Sequence, residues 1–213
     1  MEASASSRVK GFAAAGAIIV WLSLALQFYV IIQNRIAPVP ETIVRFFSYY
    51  TVLSNLLIAV CFTAIAFKGI AAQGNFFARP NTLTATAVYI CIVALTYNAI
   101  LRFQWAPQGL ARICDELLHL VVPVIYVIFW LIFVPKRSIA WRNILPWAIY
   151  PLSYLTYTLL RGPYAGWYPY PFIDVAVHGY SKVLFSSAMV CVVFVIFSVL
   201  FVGISKMMAK RSA

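Results

Sequence analysis

Six stretches of the chain are almost wholly apolar: Phe12–Ile32, Phe46–Phe67, Leu83–Phe103, Leu117–Val134, Ile144–Leu160 and Val175–Ile204. Each has roughly the 17 to 25 residues that a helix needs to cross a bilayer, and the last is long enough to tilt or to begin outside it. Turn-forming residues punctuate the connections: Ala37-Pro38-Val39-Pro40, Gly74, Arg79-Pro80, Pro107-Gln108-Gly109, Val134-Pro135-Lys136 and Arg161-Gly162-Pro163. The pattern predicts an all-α polytopic membrane protein with six transmembrane helices in a single domain over residues 1–213. The first stretch follows Arg8 and Lys10, as that of a signal peptide would. It runs on to about Ile32 with no small-x-small cleavage site behind it, so it reads as the first membrane helix.

Composition agrees with the pattern. Of 213 residues 64% are hydrophobic and 10% charged, whereas a soluble domain carries roughly a quarter charged residues. The net charge of +11 does not point to nucleic acid, because the cations lie singly at the ends of apolar runs and not together on one polar face. Their distribution sets topology. Arg8, Lys10, Lys68, Arg79, Lys136, Arg137, Arg142, Lys206, Lys210 and Arg211 fall on one side, and Arg35, Arg45, Arg102, Arg112, Arg161 and Lys182 on the other. The richer side is expected to be cytoplasmic, with both termini on it. Cys61, Cys91, Cys114 and Cys191 form no CxxC pair and read as small buried thiols, not a disulfide framework. The loop from Arg161 to Asp174 is rich in Tyr, Trp and Pro. An interfacial aromatic belt explains it most simply, although its stiffness would also suit a lid.

Polar residues inside membrane helices are costly and tend to be functional. Here they converge near the outer leaflet. With the second helix entering at about Arg45, Ser48, Thr51 and Asn55 fall within about 60° of one another, and Thr51 lies roughly 8 Å below the helix start. The third helix ends with Asn98 and Arg102. The fourth enters with Asp115, Glu116 and His119, the sixth with Asp174 and His178, and both Asp–His pairs have i,i+4 spacing. Each residue taken singly has a structural reading: Thr51 bonded back to its own helix, Asn55 and Asn98 as interhelical glue, Asp115 and Asp174 as acids at helix N-termini, the Tyr150, Tyr154, Tyr157 stripe as core. Their common depth on four helices argues for a shared polar pocket.

A pocket of this kind can support nucleophilic catalysis. Thr51 supplies a hydroxyl, His119 a base oriented by Asp115, and Asn55, Asn98 or Arg102 donors for an oxyanion; Asp174 and His178 complete its wall. No G-x-S-x-G elbow is present. Two His and two Asp could ligate zinc, making a zinc-dependent membrane hydrolase an alternative, but there is no HExxH motif, and no metal or cofactor is expected. A non-catalytic lipid-binding or transport protein is the other alternative. The inner halves of the second, fourth and sixth helices carry no polar relay, which suits a pocket open to one leaflet better than a passage.

The segments Arg45-Phe-Phe-Ser-Tyr-Tyr-Thr51-Val-Leu-Ser-Asn55, Arg79-Pro-Asn-Thr-Leu-Thr-Ala, Asp115-Glu-Leu-Leu-His119, Val134-Pro-Lys and Gly166-Trp-Tyr-Pro-Tyr-Pro-Phe-Ile-Asp174 resemble the bacterial Pr-six-Pr membrane proteins. That group is remotely similar to the androgen-induced and androgen-dependent (ADTRP-like) membrane proteins of animals. The remote resemblance implies a six-helix threonine hydrolase of fatty-acyl esters. It assigns the nucleophile to Thr51, within Ser48-Tyr-Tyr-Thr51, and the essential histidine to His119, followed by Pro123. Asp115, Asp174 and His178 lie outside it. The resulting expectation is an enzyme of the bacterial plasma membrane, whose partners are membrane lipids and a hydrophobic ester substrate.

Overall fold

A computed structural model describes residues 2–104 and 106–211, with side chains from residue 6 onward; the ends of the expected 1–213 domain lie outside the described residues. All regular structure among them is helical: α1 (Glu2–Gln33), α2 (Val39–Phe46), α3 (Tyr50–Lys68), α4 (Pro80–Ala99), α5 (Gly109–Glu116), α6 (Val122–Phe133), α7 (Ile144–Trp147), α8 (Ile149–Ala165) and α9 (Val175–Arg211). A π-turn over Leu117–Val121 joins α5 to α6 without a break. Among the described residues, five helical segments are long and apolar enough to cross a membrane: Ser6–Gln33, Tyr50–Lys68, Pro80–Phe103, Gly109–Phe133 and Val175–Arg211. Their outward faces are apolar, with Leu22, Ile132, Phe185 and Ile196 between 58% and 68% exposed. Such surface is unfavourable against water and natural against lipid. The chain is an integral, multi-pass membrane protein. The expected fifth span, Ile144–Leu160, falls across α7 and α8; α8 has 17 residues and carries Ser153, Thr156, Thr158 and Arg161 among its apolar positions.

The core is a bundle in which α1 lies along α3, while α4 packs against α3, α6 and α9. Close approach of α1 to α3 depends on Gly16. A Cβ there would sit 2.7–3.1 Å from the ring of Phe62, which is fully buried and packed on Tyr126 and Phe129. The ring has nowhere to move. Gly16→Leu is therefore expected to cost about 1–3 kcal/mol by overpacking and to lower Tm in detergent by several degrees, read by intrinsic fluorescence on heating; an unchanged Tm would contradict this packing. The backbone of α8 lies close to α7 and α9 and reaches α3 and α4 through long side chains, Tyr150 and Tyr154 packing on Tyr50 and Tyr150 on Tyr89, so space is left between α8, α4 and α9.

Three boundaries differ from expectation in ways that shape the site. The second apolar run is not one helix from Phe46. α2 ends at Phe46, and the chain turns through Phe47–Tyr49 before α3 starts at Tyr50. The Ser48 hydroxyl donates back to the Val44 carbonyl at 2.7 Å, closing α2. The Ser48 carbonyl accepts from the Tyr154 hydroxyl at 2.9 Å, and the Tyr157 hydroxyl lies 3.3 Å from Ser48 Oγ. Hence Ser48 does not share a helical face with Thr51, and Thr51 is in the first turn of α3, not 8 Å into a helix. The fourth helix begins at Gly109, eight residues before the expected start at Leu117. Asp115 and Glu116 are thus inside the helix, and His119 is far from its N-terminus. Finally, Gly179 breaks α9 with φ +72° immediately after His178, a conformation that glycine adopts without strain.

Candidate active site

The site is organised by a proline. Pro123 has no N–H, so the carbonyls four and five residues before it, those of His119 and Leu118, lose a helical donor. The backbone widens here into the π-turn, in which the Val122 N–H reaches back to the Leu117 carbonyl. Two asparagines serve the freed carbonyls. Asn55 Nδ2 donates to Leu118 O at 3.3 Å and to Thr51 O at 2.8 Å. Asn98 Nδ2 donates to His119 O at 3.2 Å and to Ala94 O at 2.8 Å. Asn55 and Asn98 therefore clamp the π-turn between α3 and α4. They hold the residue in the middle of that turn, His119, against the start of α3.

His119 is buried at 8% exposure. Its ring stacks on Tyr97, with centroids 3.8 Å apart and planes at 14°. Nδ1 lies 3.0 Å from the Asp115 carbonyl oxygen. That oxygen can only accept, so Nδ1 carries the proton and Nε2 of the neutral ring is the acceptor. Nε2 lies 3.3 Å from Thr51 Oγ1. The Asp115 carboxylate stands further off, with Oδ1 3.7 Å from Nδ1, and its Oδ2 accepts from the Tyr97 hydroxyl at 3.2 Å. Asp115 thus orients the ring chiefly through its backbone, and its carboxylate fixes the tyrosine against which the ring stacks.

On the other side of Thr51 stands Tyr170, from the loop between α8 and α9. The Thr51 N–H, in the first turn of α3, has no partner within the helix; it donates to the Tyr170 hydroxyl oxygen at 3.1 Å. The same hydroxyl is 3.2 Å from Thr51 Oγ1. One assignment satisfies every group: Tyr170 donates to Thr51 Oγ1, Thr51 donates to His119 Nε2, and His119 Nδ1 donates to Asp115 O. Burial pushes the Tyr170 phenol up to about 12, so it remains a hydrogen-bond donor across the physiological range. The loop is latched in place. Trp167 lies 5.0 Å from the Arg45 guanidinium and 5.7 Å from that of Arg161, and Tyr49 packs edge-on against both Trp167 and Tyr170. Glu41 accepts from Arg45 at 3.0 Å and Arg161 at 2.9 Å, and these two hold its carboxyl below the usual range.

Two cavities meet at this point. One, of about 850 Å³, is lined by polar groups that include Arg35, Arg45, Gln104, Asp115 and His119. The other, of about 290 Å³, lies between α4, α8 and α9 and has no charged residue in its lining. Thr51, Tyr97, Leu101 and Tyr170 line both.

Of the sequence-derived candidates, Thr51, His119, Asp115, Asn55 and Asn98 come together. Both N–H groups of each asparagine amide are engaged with carbonyls, so neither asparagine points a donor at Thr51 Oγ1. Arg102 is paired with Glu116 at 2.7 Å and lies over Tyr97. Asp174 and His178 are elsewhere. The Asp174 carboxylate caps α9 through the N–H groups of Ala176 and Val177, and His178 is exposed. Tyr170 and Tyr97 were not among the candidates. The Tyr-Pro-Tyr-Pro run was the signal for Tyr170, since prolines on both sides limit the conformations of that tyrosine. Among the described residues no three His, Cys, Asp or Glu side chains group closely enough to hold a metal ion. No protein-family model, curated protein or solved structure significantly matches the chain.

Proposed function

We infer that the protein hydrolyses lipid esters within the membrane, with Thr51 as nucleophile and His119 as general base. The observation that carries this reading is the contact of Thr51 Oγ1 with His119 Nε2 at 3.3 Å, with the opposite ring nitrogen committed to a carbonyl. A hydroxyl, a base in the accepting tautomer and a group that orients the base are the elements of an activated nucleophile. Thr51 Oγ1 attacks the ester carbonyl as its proton passes to Nε2. The Tyr170 hydroxyl, beside Oγ1, turns to donate to the oxyanion, assisted by the positive end of α3. Collapse of the tetrahedral intermediate expels the alkoxide, which takes the proton from Nε2 and leaves as the alcohol. A water from the polar cavity then gives its proton to Nε2 and attacks the acyl-threonine, releasing the acid and restoring Thr51.

The membrane setting belongs to the same proposal. With α8 as a further crossing, the chain has six spans, both termini are cytoplasmic by the distribution of Lys and Arg, and the site opens to the outer leaflet of a bacterial plasma membrane.

Purified protein in lipid nanodiscs should hydrolyse a fluorogenic fatty-acyl ester with multiple turnovers and equally well in chelator. Absence of turnover would reject the reading, and loss in chelator would favour zinc chemistry. Tyr170→Phe removes one donor and should lower kcat about 10²-fold with little change in KM, the size typical of an oxyanion donor. An unchanged kcat would remove Tyr170 from the mechanism.

A further inference from the structure

The apolar cavity touches Thr51 at one end and runs inward from it. Along α9 its lining extends from Ser187 to Val195, and along α8 from Leu155 back to Ala148, the residue that precedes the helix. At about 1.5 Å per residue these stretches span about 10–12 Å. Ile92, Ala148 and Phe194 line its inner part. The side towards the bilayer is incomplete: Leu152 and Val195 are each 49% exposed and Cys191 is exposed beside them. All three line the cavity, so it opens laterally between α8 and α9 at the depth of hydrocarbon. A cavity without charged groups, open sideways to lipid, excludes water-soluble ligands that must leave their hydration shell.

We propose that this cavity seats the acyl chain of the ester, which enters from the bilayer between α8 and α9, and that it encloses about eight to ten carbons. The length follows from about 1.2 Å of advance per bond in an extended chain over about 10–12 Å of cavity. Longer chains turn out through the lateral opening and gain nothing further. The arrangement places the carbonyl at Thr51 and the leaving alcohol in the polar cavity on the far side. This inference rests on the assignment of Thr51 as nucleophile, and its test separates the two.

In nanodiscs, kcat/KM for p-nitrophenyl esters should rise about tenfold or more from four to eight acyl carbons, as buried methylenes add transition-state binding. It should level off beyond about ten. Ala148→Phe, which fills the inner end, should lower the eight-carbon and longer esters about tenfold and leave the four-carbon ester within about twofold. A fatty acid bearing a terminal diazirine supplies a second readout, independent of turnover and usable in Thr51→Ala. Its photoadducts should map to the α4, α8 and α9 segments that line the cavity, and Ala148→Phe should remove them. Thr51-dependent hydrolysis that is flat in chain length, with adducts elsewhere, overturns the acyl site and leaves the nucleophile standing. Adducts in the cavity without hydrolysis of any ester leave the acyl site standing and overturn the nucleophile. A uniform loss across all chain lengths in Ala148→Phe, with unchanged adducts, also overturns the acyl site.

Discussion

Thr51→Ala reduces ester hydrolysis by roughly 10⁴-fold or more, to near the uncatalysed rate, because the step that forms the acyl-enzyme has no substitute nucleophile. Among the side chains within hydrogen-bond reach of its position, Tyr170 has a phenol held far from ionisation by burial, and His119 is the base. Thr51→Ser keeps the hydroxyl and its contacts to His119 and Tyr170, and should remain within about tenfold of the parent rate. The pair of variants separates chemistry from packing. Thr51 is 8% exposed and its side chain makes no bond back to its own helix, so neither substitution should alter the elution profile or the helical circular dichroism. Equal rates in Thr51→Ala and the parent protein would end the proposal.

His119→Gln lowers kcat about 10³-fold, within the range attributed to a positioned general base. Glutamine fills much of the imidazole's volume against Tyr97 but cannot take a proton from Thr51. The loss should be greatest near neutral pH and shrink as hydroxide in the medium replaces the missing base. The rise of activity with pH that accompanies deprotonation of His119 in the parent protein should be absent from the variant. A variant that keeps the parent's profile would assign the base elsewhere, or make the 3.3 Å contact structural.

The all-helical, multi-pass character and five of the six expected spans were legible in the sequence because a bilayer imposes long apolar runs and because a single-chain helix satisfies its own backbone. The convergence of Thr51 with His119 was legible from depth, since each lies near one end of an apolar run. The errors have local causes. Phe46-Phe47-Ser48-Tyr49-Tyr50 reads as a continuation of an apolar helix, and only the hydroxyl contacts from Tyr154 and Tyr157 reveal that the chain turns there. Asp174–His178 has the same spacing as Asp115–His119, yet its carboxylate is used as a cap and Gly179 breaks the helix immediately after the histidine, so identical spacing gives unrelated environments. Pro123 was visible four residues after His119. That it would free two carbonyls, and that Asn55 and Asn98 would each claim one, depends on packing between α3, α4 and the π-turn, which no single segment encodes. The aromatic loop fits an interfacial belt by composition; the insertion of Tyr170 depends on Trp167 meeting both Arg45 and Arg161, contacts between elements more than a hundred residues apart in one case.

The most direct test is chemical trapping. A fluorophosphonate reacts with a hydroxyl only where a base has activated it, and the modified residue can be identified by peptide mass spectrometry. A single adduct on the peptide containing Thr51, abolished in both Thr51→Ala and His119→Gln, is the predicted result. An adduct on another residue, or one on Thr51 that survives the loss of His119, would contradict the account.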